Sequence, residues 1–246
     1  MLGFLFFIVA LLYASVGFGG GSSYLALLLL WQVSYASIPI IALLCNIIVV
    51  SGNSVNYLRN GYLRPKLFLP LVISSVPFSY IGGALEIEKD LFVKVLFFAL
   101  TLSGIRLLVN YRCYEEDLGN YKKMPLWLSL MIGSILGLFA GITGIGGGIF
   151  LAPILYYFMV GSPKEISATS SMFILINSIS GLLGQISKGG FSEIVINHWY
   201  LPLLALAGGQ IGNLLVIKFV PARIVAIMTS LLILFVATNL AFKIWW

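Results

Sequence analysis

Long apolar runs separated by short polar stretches dominate the pattern of this chain. Residues 1–58 contain no Asp, Glu, Lys, Arg or His, and neither do residues 124–163. A helix that spans a membrane needs about 20 consecutive apolar residues. On that scale the pattern predicts eight hydrophobic segments, at residues 2–31, 37–58, 67–85, 91–109, 126–160, 165–187, 199–220 and 223–241.

Two of these segments are too long for one simple crossing, and a glycine cluster interrupts each of them. The clusters are Gly-Phe-Gly-Gly-Gly at residues 17–21 and Gly-Ile-Gly-Gly-Gly at residues 144–148, which lie 127 positions apart. The pieces on either side are each too short to span, at residues 2–14, 22–31, 126–140 and 149–160. Irregular backbone at membrane depth is tolerated only where it faces protein or a water-filled cavity. Each segment therefore either crosses as a discontinuous helix or enters to mid-depth and returns.

The repeat extends beyond the glycines. Ser51-Gly52 matches Ser180-Gly181, and Arg59-Asn60-Gly61 aligns with Lys188-Gly189-Gly190 at the same offset. Duplicated breaks of this kind point to a transporter substrate site between two repeats. We predict an all-α integral membrane protein of two homologous halves, each of about four hydrophobic segments whose first is a glycine-broken helix, discontinuous or re-entrant. The first repeat is residues 1–111, the cytoplasmic connecting loop is residues 112–124, and the second repeat is residues 125–246.

The placement of Lys and Arg bears on the two arrangements, because cytoplasmic loops carry an excess of both. Continuous crossings put nine basic residues on one side and five on the other, whereas two re-entrant segments give ten and four. Re-entrance leaves three full spans per half and so inverts the second copy, and we favour it slightly. In both arrangements the loops at residues 59–66 and 112–123 are cytoplasmic. The chain is thus expected to cross the cell inner (plasma) membrane several times.

Composition excludes the soluble classes. The chain is 60% apolar and only 9% charged, against about 25% charged in soluble domains, so its expected surroundings are the lipid bilayer. The net charge of +6 first reflects topology, and an attraction for anions is a secondary reading. Cys45 and Cys113 give no disulfide framework. One histidine, His198, cannot supply a haem pair or a conventional metal site, so we predict no cofactor, no metal and no nucleic-acid partner.

The candidate chemistry is that of an anion site without a fixed cation. No Asp or Glu lies in a hydrophobic segment away from its ends, so the carboxylate relay of many proton-coupled transporters is missing. A new half-helix should begin at Ser22 and at Ile149, and a helix start offers free N–H groups and the positive end of its dipole to an oxyanion. The predicted substrate-binding residues are Gly19, Gly20, Gly21, Ser22, Ser23, Asn46, Thr143, Gly146, Gly147, Gly148, Thr169, Asn177 and Gln185, with Asn177 and Thr143 ranked first.

Each of these residues also has a purely structural interpretation. Glycine in membrane helices often serves only close packing between helices. Ser, Thr and Asn side chains in helices often bond back to the preceding turn. Two glycine clusters in repeat-equivalent places favour a site over packing alone.

The same residues resemble a known family. Residues 141–148, followed by Pro153 and residues 168–170, look like the second-half signature of the sulfite exporter TauE/SafE family. Residues 17–21, followed by Asn46 and residues 56–61, look like the first-half copy. The resemblance covers nearly the whole chain. It implies a multi-pass inner-membrane carrier, built by duplication, that moves sulfite or small organosulfonates such as sulfoacetate, usually outward.

Three kinds of function could use these residues. The first is a secondary transporter that exports a small sulfur-containing oxyanion, held at the membrane midplane by helix N-termini and by hydroxyl and amide groups. The second is an anion channel, or a carrier for another small anionic metabolite. The third is an intramembrane protease, which would need Ser22 or Ser23 with His198 as base; His198 lies at a segment edge, so we predict no enzyme and no catalytic residues. The sequence leaves the cargo, the direction, the coupling ion and the oligomeric state open, with a homodimer as one option.

Overall fold

The fold is described from a computed structural model, which covers residues 1–14, 17–86, 88–109, 121–189 and 191–215 together with positions 230, 231, 234, 237, 238 and 241. Within these residues every regular element is an α-helix. The helices are α1 (Leu2–Ala14), α2 (Gly21–Leu30), α3 (Ser37–Arg59), α4 (Pro65–Ala84), α5 (Lys89–Val109), α6 (Leu126–Thr143), α7 (Gly148–Tyr157), α8 (Pro163–Ile186), α9 (Phe191–His198) and α10 (Tyr200–Leu215).

Four of these helices are long and apolar enough to cross a membrane: α3, α4, α6 and α8, the last over Lys164–Ile186. The prediction of an all-helical membrane protein is therefore confirmed. The fourth predicted segment, residues 91–109, corresponds to α5. Most of the eighth predicted segment, residues 223–241, lies outside the described residues, as do residues 112–120 of the predicted connecting loop.

The structure differs from the sequence prediction at the end of α6 and at α9. Helix α6 continues to Thr143 and reaches 18 residues, so it is longer than the predicted piece at residues 126–140. It ends there because Gly144 adopts a left-handed conformation with φ 81°, a common way for a helix to stop. Helix α9 lies in a stretch for which no element was predicted. A capping box starts α8, since the side chains of Ser162 and Glu165 each accept the other's backbone N–H.

Close helix packing depends on small residues. Helix α4 packs against α6 and α8, α10 packs against α1 and α3, and α3 packs against α8. In α6, Gly137 and Gly141 lie directly against backbone carbonyls of α4, and in α10, Gly208 and Gly212 lie against backbone carbonyls of α1. Residues without a side chain let two helix backbones approach in this way, which is how helices associate in a bilayer.

Candidate functional site

Two buried glycine loops separate the short helices from their partners. Residues 17–20 precede α2, and residues 144–147 connect α6 to α7. Gly20 at the start of α2 has φ 84° and Gly144 at the end of α6 has φ 81°, a region that residues with a Cβ rarely adopt. Helices α2 and α7 thus begin one residue before the predicted starts.

Asn46 of α3 lies between the two loops. Its side chain is fully buried, and Nδ2 donates hydrogen bonds to the carbonyls of Gly144 at 3.3 Å and Ile145 at 3.2 Å. On its other side Oδ1 lies directly against Gly19. A Cβ placed on Gly21 would be 2.6 Å from Asn46 Nδ2 and 2.7 Å from the Ile145 carbonyl oxygen. One amide side chain therefore contacts both loops, and the start of α2 lies against the loop that precedes α7.

One face of α8 covers the second loop. A Cβ placed on Gly146 would be 2.8 Å from Ile174 Cγ2 and 3.0 Å from Ser178 Oγ, and one on Gly148 would be 2.9 Å from the Ser170 carbonyl oxygen. Ser170, Ile174 and Ser178 are four residues apart in sequence, so they share a face of the helix. The side of α8 that meets the glycine loop therefore presents the hydroxyl group of Ser178 and the backbone carbonyl of Ser170.

On α3 and α8, several buried polar atoms have no hydrogen-bond partner in the part of the chain that the structure describes. They are Asn46 Oδ1, Thr169 Oγ1, Ser170 Oγ, Asn177 Oδ1 and Ser178 Oγ. Leaving one such group unsatisfied costs about 1–3 kcal/mol, so each in a native structure needs an explanation. A polar ligand bound between the loops and α8 would give Asn46 Oδ1 and Ser178 Oγ a hydrogen-bond partner, because both side chains contact the glycine loops.

Other residues of the predicted set have hydrogen bonds within the protein. Thr143 Oγ1 donates to the Phe139 carbonyl at 2.6 Å and accepts the N–H of Ile145 at 3.3 Å, so it shapes the loop. Gln185 Nε2 donates to the carbonyl of Gly141 at 3.0 Å and connects α8 to α6.

The polar residues at the start of α2 and on α8 are also partly bonded. The hydroxyls of Ser22 and Ser23 lie 3.4 and 2.9 Å from the Tyr13 hydroxyl. Asn177 Nδ2 bonds back to the Phe173 carbonyl at 2.9 Å, which leaves its Oδ1 as the unpartnered atom.

Two residues with unpartnered hydroxyls were not in the predicted set. Ser170 and Ser178 are buried, and Ser178 is the hydroxyl closest to Gly146. Their spacing of eight residues is visible in the sequence, but it is equally typical of back-bonded serines that only pack. The neighbouring glycine loop identifies them, and that proximity exists only in the folded chain.

The electrostatics of the site come from dipoles. Among the described residues, the buried polar side chains are those of Ser, Thr, Asn and Gln. The first turns of α2 and α7 carry amide hydrogens that have no carbonyl partner within their own helix, and each start carries a partial positive charge. His198, the base that a protease would need, lies at the end of α9 with Nδ1 3.2 Å from the Ile194 carbonyl.

Comparison with known proteins relates this chain to membrane transporters. The family model for the sulfite exporter TauE/SafE family matches residues 2–240. A probable membrane transporter protein, y4hK, of Sinorhizobium fredii is 29% identical over 93% of this chain and 92% of its own length. The probable membrane transporter protein YjnA of Bacillus subtilis is 24% identical over 92% of this chain and 93% of its own length. No solved structure matches the chain.

Proposed function

The chain belongs to the sulfite exporter TauE/SafE family, and on that premise we propose that it is a secondary transporter that exports a small sulfur-containing oxyanion, of the sulfite or organosulfonate type, across the cell inner membrane. The observation that carries this proposal is the position of Asn46, between two glycine loops that each lead into a helix start. Two helix N-termini near one point favour an anion. Residues 1–58 and 124–163, which include both glycine loops, contain no Lys, Arg or His, and binding by dipoles alone would be weak enough for release.

The oxyanion would accept hydrogen bonds from the amide groups at the starts of α2 and α7 and from the hydroxyl of Ser178. Glycine at Gly19, Gly21 and Gly146 lets the backbone approach Asn46 closely. The packing interpretation of the glycines and the binding interpretation are compatible, because the same absence of side chains brings the loops together and leaves their N–H groups bare.

We further propose that both glycine-broken segments are re-entrant. Two contacts support this. The rings of Phe6 and Tyr24 stack with centroids 4.7 Å apart, which requires α2 to run back along α1. The N–H of Lys122, before α6, donates to the carbonyl of Met159, after α7, at 2.8 Å. Both ends of the second glycine-broken segment would then lie at the same face of the membrane.

Contacts between loops support the same topology. Arg64, at the start of α4, pairs with Glu165, at the start of α8, at 3.4 Å. Lys188, after α8, donates to the carbonyl of Leu85, after α4, at 3.0 Å. Helices α4 and α8 are therefore parallel. With α3, α4 and α5 each crossing, parallel α4 and α8 require the second segment to return to its own side.

The pattern of helix contacts supports two equivalent halves. Helix α10 packs on α1 and α3, just as α4 packs on α6 and α8. If α1 is exchanged with α6, α3 with α8 and α10 with α4, each packed pair of helices becomes the other packed pair. With three crossings in the first half, the second half enters from the opposite face, so the two halves would form an inverted repeat around the site, as in several transporter folds.

Cysteine accessibility tests the topology. In a Cys113→Ser background, exposed Asn60, Lys164 and Glu86 are replaced singly by cysteine and treated with a membrane-impermeant maleimide in intact cells and in inverted vesicles. We expect Asn60→Cys and Lys164→Cys to react only in inverted vesicles and Glu86→Cys only in intact cells. Reaction of the first two from opposite faces would show that the second segment crosses the membrane.

The binding proposal is tested on Ser178. A thermal-shift screen of the purified protein against sulfite, sulfate, thiosulfate and organosulfonates should show stabilisation by a sulfur oxyanion, because a ligand that binds only the folded state raises its apparent stability. The Ser178→Ala variant should fold normally, since its hydroxyl has no partner, and should bind that anion about tenfold more weakly, the loss of a hydrogen bond of about 1.4 kcal/mol.

The matched control is Ser134→Ala, which removes a hydroxyl bonded to the Leu130 carbonyl within α6. It should bind as wild type does. Equal affinity of the Ser178→Ala and Ser134→Ala variants would contradict the site. Single-channel currents in a planar bilayer, in place of saturable flux, would contradict the carrier and favour a channel.

A further inference from the structure

Asn46 presents an acceptor where an anion site needs donors. Nδ2 lies next to Gly21 and donates to the carbonyls of Gly144 and Ile145, so the other end of the amide, Oδ1, faces Gly19. Its Oδ1 is fully buried, has no partner and lies against Gly19. An amide oxygen only accepts hydrogen bonds. A ligand beside it that carries only oxygen acceptors would meet an unfavourable contact, whereas a ligand with one hydrogen to donate would satisfy it.

The surroundings also disfavour a double negative charge. Residues 1–58, 124–163 and 166–187, which form most of the elements around the site, contain no Lys, Arg or His. The cost of removing an ion from water rises with the square of its charge, so a dianion costs roughly four times as much as a monoanion. The dipoles of two helix starts together supply about one positive charge, which matches a monoanion.

Most ionisable side chains on the described helices around the site are phenols, with one thiol, and these residue types ordinarily ionise well above neutral pH. They include Tyr13 on α1, Tyr24 on α2, Cys45 and Tyr57 on α3 and Tyr157 on α7. On α8 the ionisable residues lie at its start, where Glu165 pairs with Arg64. Helix α9, which packs on α3, ends at His198, so a ligand of fixed charge must be measured beside sulfite to separate titration of the ligand from titration of the protein.

Resting on the proposed function, we infer that the site takes the hydrogen-bearing monoanion, hydrogen sulfite, and discriminates against the sulfite dianion. The single hydrogen of the ligand donates to Asn46 Oδ1, while its oxygens accept from the helix starts and from Ser178. The same preference extends to sulfonates that carry a hydroxyl group. The cargo then carries its own proton, so each sulfite exported removes one proton from the cell without a buried carboxylate relay.

The first test is the pH dependence of binding by the purified full chain. Sulfite loses its second proton near neutral pH, whereas ethanesulfonate is a monoanion throughout. From about pH 6 to about pH 8 the apparent Kd for total sulfite should rise, approaching about tenfold per pH unit above the second ionisation. The Kd for ethanesulfonate should stay constant and reports any effect of pH on the protein itself. A sulfite Kd that is constant, or that falls as pH rises, overturns the inference.

The second test holds charge constant and varies the donor. 2-Hydroxyethanesulfonate and ethanesulfonate are both monoanions, and only the former has an O–H group. We expect the wild-type protein to bind the hydroxylated compound at least fivefold more tightly, an effect of about 1 kcal/mol for one hydrogen bond. Equal affinities overturn the inference. If no sulfur oxyanion binds at any pH, the proposed function itself fails; if they bind without preference for a donor or a charge state, only this inference fails.

Discussion

Replacement of Asn46 by alanine is expected to lower the free energy of unfolding by about 1–3 kcal/mol and to abolish export. Its amide makes two hydrogen bonds to the second glycine loop, and hydrogen bonds between helices in a membrane average about 0.6 and reach about 1.7 kcal/mol each. Without the amide, the carbonyls of Gly144 and Ile145 lose their donor. The loops would then lose their fixed separation, and with it the geometry that holds the anion.

The measurements are the thermal unfolding midpoint in detergent and the efflux of sulfite from loaded proteoliposomes. The matched control is Asn53→Ala, two turns further along α3. Asn53 is also buried, at 4% exposure, but its Nδ2 has no partner, so its removal should change stability little and leave efflux intact. An Asn46→Ala protein that exports at the wild-type rate would show that this residue does not organise the site.

Replacement of Gly147 by valine is expected to cost about 2–5 kcal/mol and to stop export. Gly147 has φ +76°, and a Cβ there would lie 3.0 Å from Phe173 Cε1 and 3.2 Å from the Leu136 carbonyl oxygen. The left-handed conformation costs a residue with a side chain about 1–2 kcal/mol. Crowding a well-packed position costs about 1–3 kcal/mol more. The strain falls on the loop that positions the start of α7.

A second valine variant separates conformational strain from crowding. Gly61 has φ +70°, and nothing lies within 4 Å of a Cβ placed there. Gly61→Val therefore carries the backbone cost alone and should retain export with a small decrease in unfolding midpoint. Membrane insertion of both variants is checked by fractionation. If Gly147→Val exports at the rate of Gly61→Val, the second glycine loop is not part of the transport site.

The apolar pattern alone was sufficient for the helical membrane fold. Segments such as residues 37–58 and 67–85 are long, uncharged and punctuated by polar loops, and the corresponding helices α3 and α4 differ from them by a few residues at the ends. Hydropathy succeeds here because a bilayer cannot satisfy backbone polar groups, so long apolar runs form helices wherever they face lipid. Helix α9 was missed because its eight residues are too few for the apolar pattern of a spanning helix.

The individual roles of the site residues were harder to predict. The sequence favours Thr143 and Asn177 above the other candidates, yet the Thr143 hydroxyl is bonded to the Phe139 carbonyl and the N–H of Ile145. Ser178 lies outside the predicted set, although its hydroxyl is unpartnered next to Gly146. Residue type and spacing do not show whether a hydroxyl bonds back to its own helix or faces a neighbour, because both cases have the same local sequence.

The sequence by itself determined that this chain is a helical membrane protein, that two similar glycine clusters interrupt its apolar runs and that it resembles one transporter family. These features are local, since each depends on residues within a single apolar run. Only the tertiary structure decided that Asn46 of α3 bonds to the loop that connects α6 to α7, and which of the described hydroxyls remain unpartnered. Those facts depend on pairs of residues about 100 positions apart, and packing between helices, which no local pattern encodes, brings them together.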